Sequence, residues 1–127
     1  MKDRTTSRDF EIFKREAELW IGRLGLTDWS VDFFHSDNPD GRPCRAWFRG
    51  EIEGRFCLIG LSPDWSGIKI TDEAVRKSAF HEVCEVMLMP LAWVAECRYA
   101  REEEIPEATH TIIRRFENLF YGKKGLK

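Results

Sequence analysis

The segment from Ser78 to Cys97, SAFHEVCEVMLMPLAWVAEC, restricts the possible folds more than any other part of the sequence. From Val83 to Ala95 every residue is apolar or proline, with the exception of Glu85. An ionised carboxylate in a buried segment costs free energy unless it gains a partner or a proton. The pattern therefore predicts a core helix, and we expect Glu85 to be buried in it and satisfied by a neighbouring group.

The composition is that of an ordinary globular domain. The chain has 127 residues, of which 43% are hydrophobic and 33% are charged, and its formal net charge is -2. We expect a single domain over residues 1–127, with flexible tails at residues 1–6 and 123–127. The small net charge gives no electrostatic argument for a nucleic-acid partner, and the basic stretches near the C-terminus are short.

Neither a secretory signal nor a membrane span is indicated. The first twenty residues spread their charges evenly and lack the apolar centre of a signal peptide. The longest apolar run, Val86 to Ala95, is far shorter than the roughly 20 residues that cross a bilayer. The four cysteines form no CxxC pair, so reduced thiols are the default interpretation. We therefore expect a soluble cytoplasmic protein with no membrane partner.

The first half of the chain predicts one helix followed by strands. Ser7 or Asp9 can cap the first helix, and Gly25 is well placed to end it. The stretch WSVDFF alternates in the manner of a half-buried strand. The stretch CRAWFRGEIEGRFCLIGLSP predicts two further strands joined as a hairpin, and GIKI is a candidate for a short fourth strand.

The second half predicts two helices. Thr71 or Asp72 can cap the helix that carries the apolar run, and Pro90 should kink or end it. The last helix has Pro106 near its first turn and Gly122 just past its end. The order of helix, three or four strands and two helices is typical of an α+β domain.

The letters HEVCE place His81, Glu82 and Glu85 on the apolar helix. His81 and Glu85 are four residues apart, so they differ by only about 40° around the helix and project from the same edge. Glu82 points about 100° away from His81, at the border of that surface. HEVCE differs by one letter from HExxH, in which two histidines hold zinc and the glutamate activates the metal-bound water.

The motif and its place in the chain resemble the minimal zincin metallopeptidases, most closely the small SprT-like and phage-borne ones. The resemblance also uses GLTDWSV, CLIGLSP and ATHTIIRRFENLF, and it loosely covers Phe10 to Tyr121. It implies a zincin-like α+β fold with an N-terminal helix, a three- to four-stranded, mostly antiparallel sheet, the motif helix and a C-terminal helix. A phage-encoded member would act in the cytoplasm of the host cell.

The resemblance also implies roles for the motif residues. His81 matches the first metal ligand and Glu82 the general base, whereas Glu85 stands where the second histidine belongs. A carboxylate can bind zinc through oxygen but lowers the electrophilicity of the metal, so zinc, another divalent metal and no metal all stay open. A catalytic zinc also needs a third protein ligand, for which we expect His110. The other candidates, in order of preference, are Glu117 and then Glu107 or Glu96.

Two functions follow from these expectations. In the first, a metal-dependent peptidase, Glu82 takes a proton from metal-bound water while the metal polarises the scissile carbonyl. A peptide or protein substrate would lie along an exposed sheet edge, expected to be the strand RFCLIGLSP. In the second, the scaffold is a catalytically inactive binding protein without a metal. His81 and Glu85 would then form a polar network with one of Arg98, Arg114 and Arg115.

Overall fold

The computed structural model describes residues 4–97 and 103–121, and of residues 118–120 only the backbone. It contains three helices and three strands, in the order α1 (Ser7–Arg23), β1 (Ser30–His35), β2 (Ala46–Glu51), β3 (Phe56–Leu61), α2 (Asp72–Glu96) and α3 (Glu104–Tyr121). The predicted α+β class and the order of its elements are therefore confirmed. No helix within the described ranges is both long enough and apolar enough to cross a membrane.

The sheet is mixed, with β3 in its centre. The strand order is β1-β3-β2, and β3 runs parallel to β1 and antiparallel to β2. The predicted hairpin of β2 and β3 is confirmed, but the expectation of a mostly antiparallel sheet is wrong, because β3 returns between the two earlier strands. The stretch GIKI forms no strand. The stretch RFCLIGLSP contains β3, so the expectation that it is an edge strand is also wrong.

One hydrophobic core lies between the sheet and the first two helices. The inward-facing side chains of β3, Cys57, Ile59 and Leu61, are fully buried. Phe13 from α1 belongs to the same cluster. From α2 the cluster receives Val75, Ala79, Val83 and Val86. This packing holds α2 against the sheet and determines which face of the helix stays accessible to solvent and ligands.

The first turns of α1 and α2 are held by threonine caps. The hydroxyl group of Thr6 accepts from the Asp9 N–H at 3.2 Å, and the Asp9 carboxylate accepts from the Thr6 N–H at 2.9 Å. This reciprocal capping box makes Thr6 the cap of α1, in place of the expected Ser7 or Asp9. Thr71 caps α2, as predicted, by accepting from the Ala74 N–H at 3.0 Å. Gly25 follows the end of α1 with a φ of 69°, a conformation that favours glycine.

Two expected boundaries differ in the structure. Helix α2 does not end at Pro90 but continues to Glu96, and Val94 beyond the proline is buried, so tertiary packing maintains the helix past a residue that lacks an amide hydrogen. The expected N-terminal tail is anchored at residues 4–6, since Thr5 is buried and its N–H donates to the Pro63 carbonyl at 2.8 Å. Gly122 and the expected tail at residues 123–127 lie outside the described residues.

Helix α3 is tied to the loop between α1 and β1 by Arg115. The guanidinium of Arg115, only 12% exposed, donates to the Gly25 carbonyl and to the Asp28 carboxylate, the latter at 3.0 Å. Arg55 also contacts Asp28 at 3.0 Å. Partial burial raises the pKa of Asp28, but the hydrogen bond and charge of Arg115, together with Arg55, outweigh it and leave that pKa lowered. The contribution of this contact is therefore present at neutral pH and is lost as the pH falls.

Arg115→Gln is expected to lower the free energy of unfolding by about 1–2 kcal/mol at pH 7, because it removes the charge-assisted hydrogen bonds of a side chain that is only 12% exposed. Arg114→Gln is the matched control, since Arg114 is exposed and pairs with no carboxylate among the described residues. Urea unfolding of both variants provides the comparison. Equal losses in the two variants would contradict a docking role for Arg115.

Candidate functional site

The motif places one carboxylate inside the protein and another at its surface. Glu82 is buried, with 6% of its surface exposed, whereas the side chain of Glu85 is 51% exposed. The expectation that Glu85 is the buried carboxylate is therefore wrong. The buried face of α2 follows Ser78, Ala79, Glu82 and Val86, at the helical spacing of three and four residues. Glu85 lies on the neighbouring edge with His81, whose side chain is 69% exposed.

His81 and Glu85 contact one another, as their spacing predicts. The imidazole Nε2 lies 3.4 Å from the Glu85 Oε2. None of the expected arginines extends this contact within the described residues. Arg115 is bound to Gly25 and Asp28, Arg114 forms no ion pair there, and Arg98 lies outside the described residues.

The nitrogen of His81 and the oxygen of Glu85 are separated by a distance that suits two ligands of one zinc ion. Zinc–ligand bonds of about 2.0–2.1 Å in a tetrahedron separate two donor atoms by about 3.3–3.4 Å. The distance between Nε2 of His81 and Oε2 of Glu85 matches that separation. Within residues 4–97 and 103–121, no three His, Cys, Asp or Glu side chains are grouped so that they could hold a metal ion. His110, Glu117, Glu107 and Glu96 are described, and none completes such a group with His81.

A cleft of about 490 Å³ opens beside the motif, between the first turns of α2 and the beginning of β2. His81 and Glu82 line it, whereas Glu85 does not. The remaining lining residues are Arg45, Ala46, Thr71, Glu73, Ala74, Lys77 and Ser78. Glu82 makes no hydrogen bond to another described residue. Neither of its carboxyl oxygens is both fully buried and unpaired. Its carboxyl group is therefore left available to whatever enters the cleft.

The environment of Glu82 changes its protonation. Burial, and to a smaller extent the negative charge of Glu85, raise the pKa of Glu82 from 4.5 to about 7. Burial has this effect because it disfavours the charged form of a carboxyl group. Glu82 therefore exchanges its proton near neutral pH, which is the range required of a general base or acid.

The free edge of β2 begins at the same cleft. The N–H of Ser62 donates to the Arg45 carbonyl at 3.0 Å, so Arg45 faces β3 in the hydrogen-bonded ladder. Because antiparallel ladders alternate, the backbone groups of Ala46, Phe48 and Gly50 point away from β3. Ala46 also lines the cleft. A strand edge and the motif residues thus meet at one place.

Three residues of this site were missed from the sequence, Lys77 on the motif helix and Arg45 and Ala46 at the beginning of β2. Lys77 could have been found, because it lies one helical turn before His81. Arg45 and Ala46 precede the motif by more than thirty residues and carry no local signal, since only the pairing of the strands brings them to α2.

No protein-family model, curated protein or solved structure matches the chain significantly.

Proposed function

We propose that the cleft beside Glu82 is the active site of a metal-dependent peptidase of the zincin type, with a degenerate HExxE motif. The observation that carries the proposal is Glu82 itself, a buried carboxylate that lines a cleft and has no hydrogen-bond partner among the described residues. Such a group is costly to the fold, and perturbed carboxyl groups of this kind are concentrated at functional sites. The raised pKa of Glu82 supports the same role.

Each motif residue has a role in this proposal. Glu82 accepts a proton from the attacking water, and it can do so at neutral pH because its pKa is about 7. His81 and Glu85 would hold the divalent cation, zinc being the first choice, and they supply two of the protein ligands that such a cation needs. A bound cation supplies Lewis-acid polarisation of the scissile carbonyl.

The peptide substrate is proposed to add to β2. The outward N–H and C=O groups of Ala46 and Phe48 can pair with an extended peptide, in the manner of strand addition. This position would bring the peptide backbone to the cleft that His81 and Glu82 line. The edge of β2 thus takes the place of β3 as the proposed binding strand, because β3 is paired on both sides and has no free edge.

The alternative is a catalytically inactive zincin-fold binding protein without a metal. The contact between His81 and Glu85 favours it, because at 3.4 Å the two side chains are each other's partners without any cation. The described residues also supply no third ligand. In this alternative the cleft and the edge of β2 would bind a peptide without cleaving it.

The two functions are separated by metal content and peptide cleavage. Protein purified without a histidine tag is incubated with zinc, manganese or a chelator and with a mixture of peptides, and products are identified by mass spectrometry. We expect metal-dependent cleavage that Glu82→Gln reduces by about 100-fold or more while the metal content is retained. His81→Ala should lose both metal and cleavage.

Glu73→Gln serves as the matched control for this experiment. Glu73 lines the same cleft but is exposed, so its substitution should leave the rate within a few-fold of the parent. Absence of both metal uptake and cleavage in the parent protein would reject the peptidase and favour the binding protein.

A further inference from the structure

A second cleft of about 610 Å³ adjoins the first, and Arg45 lines both. The second cleft lies on the side of Arg45 away from the motif and includes Arg42, Ser62 and Trp65. Among the described residues, Arg45 alone lines the two clefts. It is therefore the side chain that the two clefts share, and it lies immediately before the free edge of β2.

Arg45 is held in place through both its backbone and its side chain. Its carbonyl oxygen accepts two hydrogen bonds, from the Ser62 N–H at 3.0 Å and from the Trp65 Nε1–H at 3.1 Å. Its guanidinium carbon lies 5.9 Å from the centre of the Trp65 ring, within the range of a cation–π contact. The indole of Trp65 thus contacts both the backbone and the side chain of Arg45 without neutralising its charge.

Arg45 has no carboxylate partner within the described residues. Six other arginines lie within 4.0 Å of an acidic side chain, namely Arg4, Arg8, Arg49, Arg55, Arg76 and Arg115. Arg45 is exposed and forms no such pair. A planar guanidinium with five donors is suited to bind a carboxylate through two hydrogen bonds.

We propose that Arg45 selects a peptide that carries a carboxylate, either an acidic side chain or a C-terminal carboxylate, at the junction of the two clefts. This inference rests on the proposed function only in taking the ligand to be a peptide on the edge of β2. The residue after Arg45 is Ala46, whose outward backbone groups an extended peptide can pair with at the same time.

The charge of the groove favours one carboxylate over a polyanion. The two clefts together are lined by four acidic and four basic side chains, so they present no continuous positive surface. A nucleic acid or another polyanion would meet as many negative as positive groups. A peptide with a single carboxylate requires only Arg45.

The test measures peptide binding in the Glu82→Gln background, so that no peptide is cleaved during the measurement. The probes are capped hexapeptides in which one Glu or Gln is moved through all six positions, together with one peptide ending in a free carboxylate or an amide. NMR titration follows the Ala46 amide and the Trp65 indole signals. At one position, or at the C-terminus, the carboxylate form should bind about 10-fold more tightly than its neutral counterpart.

Arg45→Gln should abolish this preference, and Arg45→Lys should retain only part of it, because lysine keeps the charge without the paired donors. Arg23→Gln is the matched control, since Arg23 also lies over a tryptophan ring, has no ion-pair partner among the described residues and lines neither cleft. It should leave the preference unchanged. Urea unfolding verifies that each variant is folded before binding is compared.

Several outcomes would overturn the inference. They are the absence of peptide binding, equal affinity for the carboxylate and neutral forms, a preference that survives Arg45→Gln, and displacement of the peptide by low millimolar inorganic phosphate. An Arg45-dependent preference in a protein that never cleaves peptides would leave the inference standing and reject the peptidase. Cleavage without any carboxylate preference would reject the inference and leave the peptidase standing.

Discussion

Glu82→Gln is expected to raise the free energy of unfolding at pH 8 by up to about 3 kcal/mol, provided that no metal is bound. The folded protein holds the Glu82 proton until about pH 7, whereas the unfolded chain releases it near pH 4.5. Between these values the folded state binds more protons, so the stability of the parent falls as the pH rises. Above pH 7 both states are ionised and the full cost of the buried charge remains. Glutamine keeps the shape of the side chain and never ionises.

The measurement is urea unfolding of the parent and the variant at several pH values from 4 to 8, in buffer with a chelator. Other charges face the same cleft, with Arg45 and Lys77 opposing the effect and Glu73 adding to it. The difference between parent and variant is therefore the quantity to compare. Glu85→Gln is the control and should retain most of the pH dependence, because burial is the larger cause of the shift. A parent–variant difference that does not change from pH 4 to 8 would contradict the prediction.

Gly60→Ala is expected to destabilise the protein by about 2–3 kcal/mol, through overpacking at the centre of the sheet. A Cβ atom at this position of β3 would overlap the body of the Trp47 indole ring. That ring is 4% exposed, and its Nε1–H donates to the Ser36 carbonyl at 2.8 Å. The ring cannot move aside without losing this hydrogen bond or displacing β2, whose first residue, Ala46, lines the cleft.

Gly22→Ala provides the matched control for Gly60→Ala. Gly22 lies in α1, and a Cβ atom there would meet no other atom within 4 Å. Alanine should therefore stabilise the helix by about 0.5–1 kcal/mol. Thermal unfolding of both variants measures the two effects, and changes of the same sign would contradict the role assigned to Trp47.

The parts of the fold that depend on local patterns could be predicted from the sequence. Apolar spacing and the residues at helix ends predicted the three helices, and Thr71 was one of the two expected caps of α2, with Asp72. The central position of β3 could not be predicted in the same way, since its parallel pairing with β1 joins residues far apart in the chain. Its nearly continuous apolar letters, FCLIGL, are nevertheless typical of a strand covered on both faces.

In the candidate site, too, contacts within one helix could be predicted, whereas contacts between distant segments could not. The contact of His81 with Glu85 follows from helical spacing, and the structure contains it. Glu85 was expected to be buried and Glu82 to lie at the border of its surface, and the structure buries Glu82 instead, because an apolar run does not show which side of a helix meets the sheet. The small residues Ser78 and Ala79, one turn before Glu82, were the available signal for the buried face. Arg45 had no signal, since it reaches the cleft only through the folding of β2.

The most direct measurement is a pH titration of the Glu82 carboxyl carbon by ¹³C NMR in the metal-free protein. Its signal is identified by its absence from the Glu82→Gln spectrum. The buried position of Glu82 beside the cleft predicts a midpoint at about pH 7. A midpoint near 4.5, the ordinary value for glutamate, would show that the carboxylate is solvated and would contradict its role as the proton acceptor of this site.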